Sequence, residues 1–284
     1  MKRDLQKYIT EAREHFDKLL DEKIDALVER TQIERERFVK INPMDFVKTI
    51  SGMVEANGNI ADYIQQHKTP ETFLISPLDA VEETANQICY KTHQDCVKIR
   101  AHKCSVIPIP AAVAQAFFVK NHRQSAVVIS SASVNYALVY EGEIVSVMTY
   151  DLTAGAVRGK SKSGKYELLR LAIKAGTQVN GGASKLQKAC EDAILELGYS
   201  DIFSYSNATI NEGGVYQNLG FERGKIDPGR AYVVMPDYSL IDLATFSSKY
   251  GSGGNATMRR YALVKVHIGG NRIWTKHLIK QQTL

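Results

Sequence analysis

From Gln178 to Leu186 the chain reads Gln-Val-Asn-Gly-Gly-Ala-Ser-Lys-Leu, two glycines set between an apolar strand pattern at 166–173 and a helical pattern at 183–197. Few local features constrain a fold so tightly. Paired glycines let the backbone turn sharply and approach a ligand, and the first N–H groups of the following helix point outward with the positive end of its dipole behind them. Such a turn is a natural seat for a pyrophosphate. It is neither G-x-G-x-x-G nor G-x-x-x-x-G-K-[ST], so a dinucleotide fingerprint and a P-loop are both excluded here. The residues that would hold the anion are Gln178, Val179, Asn180, Gly181, Gly182, Ala183, Ser184 and Lys185.

The surrounding pattern predicts an α+β domain. Residues 97–109 alternate like a strand and 111–119 look helical. Runs at 126–130, 136–140 and 143–149 read as strands, the last two joined by the hairpin signal Glu141-Gly142. In the helix after the glycines, Leu186, Ala189, Cys190, Ala193 and Leu197 share one face, and Gly198 sits where a C-terminal cap belongs. Further strands are predicted at 201–206, 231–235 and 261–267, a short helix at 214–219, and a glycine- and serine-rich linker at 247–257. The expected domains are a helical segment over 1–70, a connector over 71–96, the α+β domain over 97–245, and a C-terminal tail over 246–284 with a strand pair.

No Gly or Pro precedes Pro43, and Leu5, Ile9, Ala12, Phe16, Leu19, Leu20, Ile24 and Leu27 step by three or four. One unbroken helix of about 40 residues would be roughly 60 Å long. A helix of that length needs a partner. Either it folds back on a second helix over 44–67, or it self-associates as a coiled coil in a homo-oligomer.

The formal charge of +5, from 36 basic and 31 acidic residues, is unevenly spread. Residues 1–70 are near neutral, with 12 Lys/Arg against 13 Asp/Glu, while the stretch after Asp242 holds seven basic residues and no acidic one. A second basic run is Arg158, Lys160, Lys162 and Lys165. Together with Arg259 and Arg260, and with Tyr261 and Trp274 in the tail, these point to nucleic acid as partner. No run approaches the roughly 18 apolar residues of a membrane span, and no secretory signal opens the chain, so no membrane partner is expected. Four cysteines are too few for a disulfide scaffold and suggest a reduced, cytoplasmic setting. The Cys89, His93, Cys96, His102, Cys104 series matches no standard zinc spacing, so no metal is expected.

Gln178-x-x-Gly181-x-Ala183 resembles the Q/R-x-x-G-x-G/A pattern with which GNAT acyltransferases hold the pyrophosphate of acyl-coenzyme A. Gly214-Val-Tyr216-Gln-Asn-Leu219-Gly220-Phe221 resembles their second signature. There the tyrosine lies near the thioester sulfur and protonates the leaving thiolate, whose ordinary pKa is about 8.5. The strings at 145–150, 166–171 and 179–186, with Ala101-His102-Lys103-Cys104 and 117–122 before them, resemble the GNAT-like domain of Mom-type phage DNA-modification proteins and the related domain of phage homing-type endonucleases. The similarity covers about residues 97–235.

That resemblance implies a GNAT-like, mostly antiparallel mixed sheet flanked by helices, with acetyl-CoA or another acyl-CoA as donor. It implies an acceptor on nucleic acid, DNA first, such as a base amino group. The setting would be the host cytoplasm, or the virion. Tyr216 would be the proton donor. Arg170, costly in an apolar strand unless it meets an anion or carboxylate, and His122, at the end of the first helix, would orient substrate. Glu167, placed by strict alternation on the opposite strand face from Arg170, is a candidate base. Asn207 stands where the related proteins more often carry aspartate, and an amide cannot act as a base. A catalytically inactive, nucleic-acid-binding or virion-associated protein is therefore the alternative.

Overall fold

Asp4 opens the first helix by accepting the Gln6 and Lys7 N–H groups at 3.0 and 3.2 Å. In the computed structural model the helix spans Leu5–Thr31, 27 residues rather than the expected 40. It stops where the β-branched Thr31 and Ile33 flank Gln32, whose backbone is left-handed at φ 56°. The structure describes residues 4–50, 53–56, 58–92, 96–122, 128–152, 164–210, 212–227, 229–251 and 255–279. Two units are distinguished: one takes its described residues from 1–88, 207–212 and 225–272, the other from 89–206, 213–224 and 273–284.

In the first unit the long helix is covered by its own chain. Tyr8, Ile9, Ala12 and Phe16 are buried with Met44, Val234 and Val264, while Leu20, Ile24 and Leu27 are buried with Phe38, Phe73 and Ile75. The apolar face of the helix is thus filled by residues of the same unit. The expected helix over 44–67 is also corrected. Only Ile60–His67 is α-helical, and Val47–Ile50 pairs antiparallel with Met53–Ala56. Val47, Thr49, Ile50 and Val54 are β-branched, with Gly52 between the two runs in sequence, and this outweighs the helical spacing. Arg230–Val234 forms the centre of a three-stranded antiparallel sheet with Leu240–Asp242 and Val264–Ile268. Where a linker was expected over 247–257, helices Leu243–Tyr250 and Asn255–Tyr261 bury Phe246 and Met258 with Val233 and Leu263.

The second unit holds strands β1 (Val97–Arg100), β2 (Ser105–Pro108), β3 (Val134–Tyr140), β4 (Glu143–Asp151), β5 (Tyr166–Ile173), β6 (Thr177–Asn180), β7 (Asp201–Asn207), β8 (Glu222–Ile226) and β9 (Asn271–His277). Its helices are α1 (Ala111–Asn121), α2 (Gly182–Glu196) and α3 (Gly214–Asn218). The main sheet has the order β8-β9-β7-β5-β4-β3-β2, and β6 pairs in parallel with β1. The ladder from β2 to β5 is antiparallel, and β5–β7 is parallel. Glu141 and Gly142, both at positive φ (50° and 81°), close the β3–β4 hairpin as their sequence predicts. Residues 126–130 do not form the expected strand where they are described, 128–130.

Helix α1 buries Ala114, Phe117 and Phe118 with Ala137, Val147 and Ala172 on one sheet face. Helix α2 buries Leu186, Cys190 and Ile194 with Leu138, Met148 and Leu168 on the other. This is an α+β domain: a mixed, mostly antiparallel sheet flanked by helices. The expected 97–245 boundary is corrected, because β9 from the supposed tail inserts between β7 and β8. A pairing across so many residues leaves no trace in local periodicity.

Candidate active site

Strands β5 and β7 are in register for two residues only, Tyr166 with Ile202 and Glu167 with Phe203. Beyond them the ladder ends, and a side-chain hydroxyl takes over: Ser204 Oγ donates to the Leu168 carbonyl at 2.9 Å. At the same level the β4–β5 ladder slips. Thr149 pairs with Arg170 but Tyr150 pairs with Leu168, so Leu169 is an extra residue, a β-bulge. The β5–β7 pairing thus ends on one side of β5 where the bulge lies on the other.

Tyr216 stands beside the end of this pairing. Its hydroxyl donates to the Tyr205 carbonyl at 3.2 Å and lies 3.3 Å from Ser204 Oγ. Its ring stacks on Trp274, with centroids 5.3 Å apart and planes 14° apart, and meets Phe221 edge-on. Burial pushes the phenol above its usual pKa; the Ser204 hydrogen bond and the Arg170 charge pull it back, and Glu167 pushes it up again. The phenol is thus protonated at neutral pH, the state a proton donor requires.

The bulge corrects the expected geometry of Glu167 and Arg170. Thr149 and Asp151 share a face of β4, Arg170 is opposite the first and Glu167 opposite the second. Glu167 and Arg170 therefore lie on one face, not two, because Leu169 breaks the period of two. Glu167 is buried, and Arg170 Nη1 donates to the Leu169 carbonyl at 2.7 Å. Neighbouring groups on this face were not singled out in the sequence. Thr149 donates to Asn135 at 2.8 Å, and Asp151 accepts the Ser130 N–H at 2.7 Å and hydroxyl at 2.6 Å.

The glycine turn follows β6 as predicted. Gly181 is the N-cap of α2 at φ 77° with no side-chain cap, so the first-turn N–H groups keep their outward aim. Gly182 is needed for packing, since a Cβ there would lie 2.9 Å from Val179 and 3.1 Å from Leu138. Lys185 is committed elsewhere than expected: Nζ donates to the carbonyls of Ala101 at 3.1 Å and Cys104 at 2.6 Å. The turn packs beside β3, two strands from β5 in the sheet order.

His122 is not gathered into the Tyr216 cluster. It caps α1 and meets Phe118 edge-on, while its neighbour Asn121 accepts the Ala175 N–H at 3.0 Å, beyond the far end of β5. Asn207 turns its amide oxygen to its own turn, accepting the Thr209 N–H at 2.9 Å and hydroxyl at 2.6 Å. Of the basic residues, Arg158, Lys160 and Lys162 lie outside the described residues. Lys165 is half-buried, and its charge helps to hold the Asp201 carboxyl below the usual range, after a hydrogen bond from His277. Arg259 and Arg260 are exposed in the first unit, the latter 5.5 Å over the Tyr261 ring. Trp274, counted with the tail as a nucleic-acid contact, is instead fully buried.

Two devices hold Tyr216 in place. Trp274 Nε1 donates to Ser206 Oγ at 2.8 Å, and Gly213 starts α3 at φ 78°, where a Cβ would lie 2.0 Å from the indole. On the other side Tyr150 donates to Gln187, Gln187 to Glu191, and Lys276 bridges Glu191 to the Leu219 carbonyl at the end of α3. Among the described residues no group of His, Cys, Asp and Glu is arranged to hold a metal, and no helix is long and apolar enough to cross a membrane.

No protein-family model matches the chain, and no curated protein matches it. Solved structures do show similarity. An aminoglycoside 6'-N-acetyltransferase from Enterococcus faecium is 11% identical, with a TM-score of 0.39 over 63% of this chain and 99% of that one. A Bacillus subtilis acetyltransferase in complex with CoA is 14% identical, with a TM-score of 0.39 over 62% of this chain and 100% of that one. A GNAT family acetyltransferase from Elizabethkingia anophelis with acetyl-CoA bound is 13% identical, with a TM-score of 0.37 over 62% and 99%.

Proposed function

We propose that the second unit is an N-acyltransferase that takes its acyl group from an acyl-CoA thioester and passes it to an amino group on nucleic acid, DNA first. One observation carries this reading: the β5–β7 pairing ends at the level of the Leu169 bulge, with the half-buried, protonated phenol of Tyr216 beside it. A thioester seated along the β7-facing edge of β5 presents its sulfur to the phenol. As the acceptor nitrogen forms its bond to the acyl carbon and the carbon–sulfur bond breaks, Tyr216 gives its proton to the thiolate. Glu167 is the candidate to take the proton from the attacking amine, and Arg170 on the same face orients the acceptor. The diphosphate of the donor belongs at the Gly181 turn, where uncapped N–H groups and the helix dipole favour an anion.

The nucleic-acid half of the proposal rests on the basic residues Lys165, Arg259 and Arg260 and on the Mom-type resemblance. A base amino group in duplex DNA would have to be flipped out of the stack to reach such a site. Incubation with acetyl-CoA and DNA, followed by mass spectrometry of the nucleosides, tests the whole reading. An acylated base is the expected product. Absence of any thermal shift with any CoA thioester would remove the donor, and with it the reaction.

A further inference from the structure

Away from the split, the second unit contains a pocket of about 360 Å³ lined by Lys98, Ile99, Arg100, His102, Lys103 and Tyr140. Four of the six lining side chains are of basic type and none is acidic, and the one carboxylate at its rim, Glu141, is engaged by a hydrogen bond with Tyr140. Among the described residues none of Lys98, Arg100 and Lys103 forms an ion pair. Lys98 and Arg100 are exposed on one face of β1, while Ile99 between them turns inward. His102 and Lys103 come from the tight turn Ala101–Lys103, and that turn is held from below by Lys185 on the Ala101 and Cys104 carbonyls.

The pocket adjoins the glycine turn. Arg100 is opposite Asn180 in the parallel β1–β6 ladder, and a Cβ on Gly181 would stand 3.6 Å from the Ala101 methyl. A charged edge strand is a common defence against edge-to-edge pairing and would account for Lys98 and Arg100. It does not account for the further cation Lys103 and the imidazole of His102 on a turn that Lys185 fixes, nor for their lining a concavity together with Tyr140. A phosphate monoester carries a charge of about −1.5 to −2 at neutral pH, and paired cations recognise it through charge-assisted hydrogen bonds. The volume falls at the small end of ligand sites, about 300–1,000 Å³.

We propose that this pocket binds the 3′-phosphate of a CoA-type donor whose diphosphate sits at the Gly181 turn, with Tyr140 against the adenosine. The proposal rests on the acyl-CoA reading above. It makes the pocket the element that distinguishes 3′-phosphorylated coenzyme from its unphosphorylated form.

Calorimetric titration of the full chain with CoA and with dephospho-CoA tests it. CoA is expected to bind about tenfold tighter, a gap that narrows as salt is raised. The double variant Arg100→Gln, Lys103→Gln should bring CoA to the dephospho-CoA affinity and leave dephospho-CoA itself unchanged. Both positions are exposed, and unaltered Trp274 emission will show that the fold is kept. Adenosine 3′,5′-bisphosphate should compete with CoA. Equal affinities for CoA and dephospho-CoA in the natural chain would overturn the pocket and leave the donor reading standing. Binding of neither would overturn both. Binding of the bisphosphate without competition would make the pocket a separate anion site and overturn the proposal.

Discussion

The two units differ in where they place much of their polarity. The first sets charge at its surface: Arg35 reaches Asp21 and Asp25, Lys40 reaches Asp17 and Asp21, and Arg13 reaches Asp45, all between partly exposed side chains. The second hides polar groups inside its sheet, both neutral pairs such as Tyr150–Gln187, Thr149–Asn135 and Trp274–Ser206 and the carboxylates of Asp151 and Glu167. Exposed ion pairs contribute little and tolerate change. A buried polar network is costly to disturb, because each group that loses its partner keeps its full desolvation penalty. Chemistry that depends on the placement of a single phenol belongs in the second kind of interior.

Adding one methyl group to each unit breaks or sharpens this contrast most strongly. Gly213→Ala sets a Cβ 2.0 Å from Trp274 on left-handed backbone. Left-handed strain of about 1–2 kcal/mol and overpacking of about 1–3 kcal/mol together suggest a loss of roughly 2–5 kcal/mol. Gly229→Ala is its counterpart in the first unit, with a Cβ 2.3 Å from the Ile268 carbonyl oxygen at φ 77°. The chain has one tryptophan, so fluorescence reads the second unit alone. Gly213→Ala should lower Tm and shift the emission; Gly229→Ala should lower Tm and leave the native emission in place. Equal shifts from both would mean that the two units are not separate.

Next in size is Tyr216→Phe. Loss of the phenolic proton should lower acyl transfer about 100-fold, with donor affinity changed less than twofold. Stability should fall by only about 1 kcal/mol, the worth of a lost hydrogen bond. Unchanged turnover in the variant would return Tyr216 to a structural role beside Trp274.

Much of the second unit was legible because its signals are local. The Glu141-Gly142 hairpin, the glycine turn, the helix ending at Gly198 and the short helix carrying Tyr216 each announce themselves within a few residues. The bulge at Leu169 did not, since nothing in Glu167-Leu168-Leu169-Arg170 marks the extra residue, and strict alternation put Glu167 and Arg170 on opposite faces. Ser204 and Trp274 were not recognised as site residues because they reach Tyr216 only through the order β5-β7-β9, which is set by long-range pairing. The first unit is hard to read locally for the same reason. The spacing of apolar residues in 1–31 was right, but what covers them comes from as far away as Val264.

A pH series separates the units on a smaller scale. Burial holds the Tyr150 and Tyr216 phenols and the Cys190 thiol above their usual range. The unfolded chain ionises such groups near pH 10 and 8.5, while the folded state keeps their protons. Their stabilising contribution is full below about pH 8.5 and declines as pH rises. Asp21 runs the other way. A hydrogen bond from Lys40 holds its carboxyl below the usual range, so its contribution is present above about pH 3.9 and lost as pH falls. Urea unfolding from pH 5 to 11, followed by Trp274 emission, should show the second unit weakening on the alkaline side. A flat alkaline limb would mean that these phenols reach water.

Lys40→Met should have the smallest effect and tests the surface half of the contrast. Lys40 pairs with Asp17 and with Asp21 at 3.7 and 2.9 Å, and its side chain is 37% exposed. Solvent screening limits such a pair to less than about 1 kcal/mol, and the methionine retains the apolar stem that packs along the strand. Two outcomes are expected together: a loss of stability below about 1 kcal/mol in low salt, and its disappearance near 1 M salt, where the Debye length is about 3 Å. Asp21 also retains Arg35, which further softens the loss. A larger, salt-independent loss would show that this pair is effectively buried, and the first unit would then depend on hidden polarity as the second does.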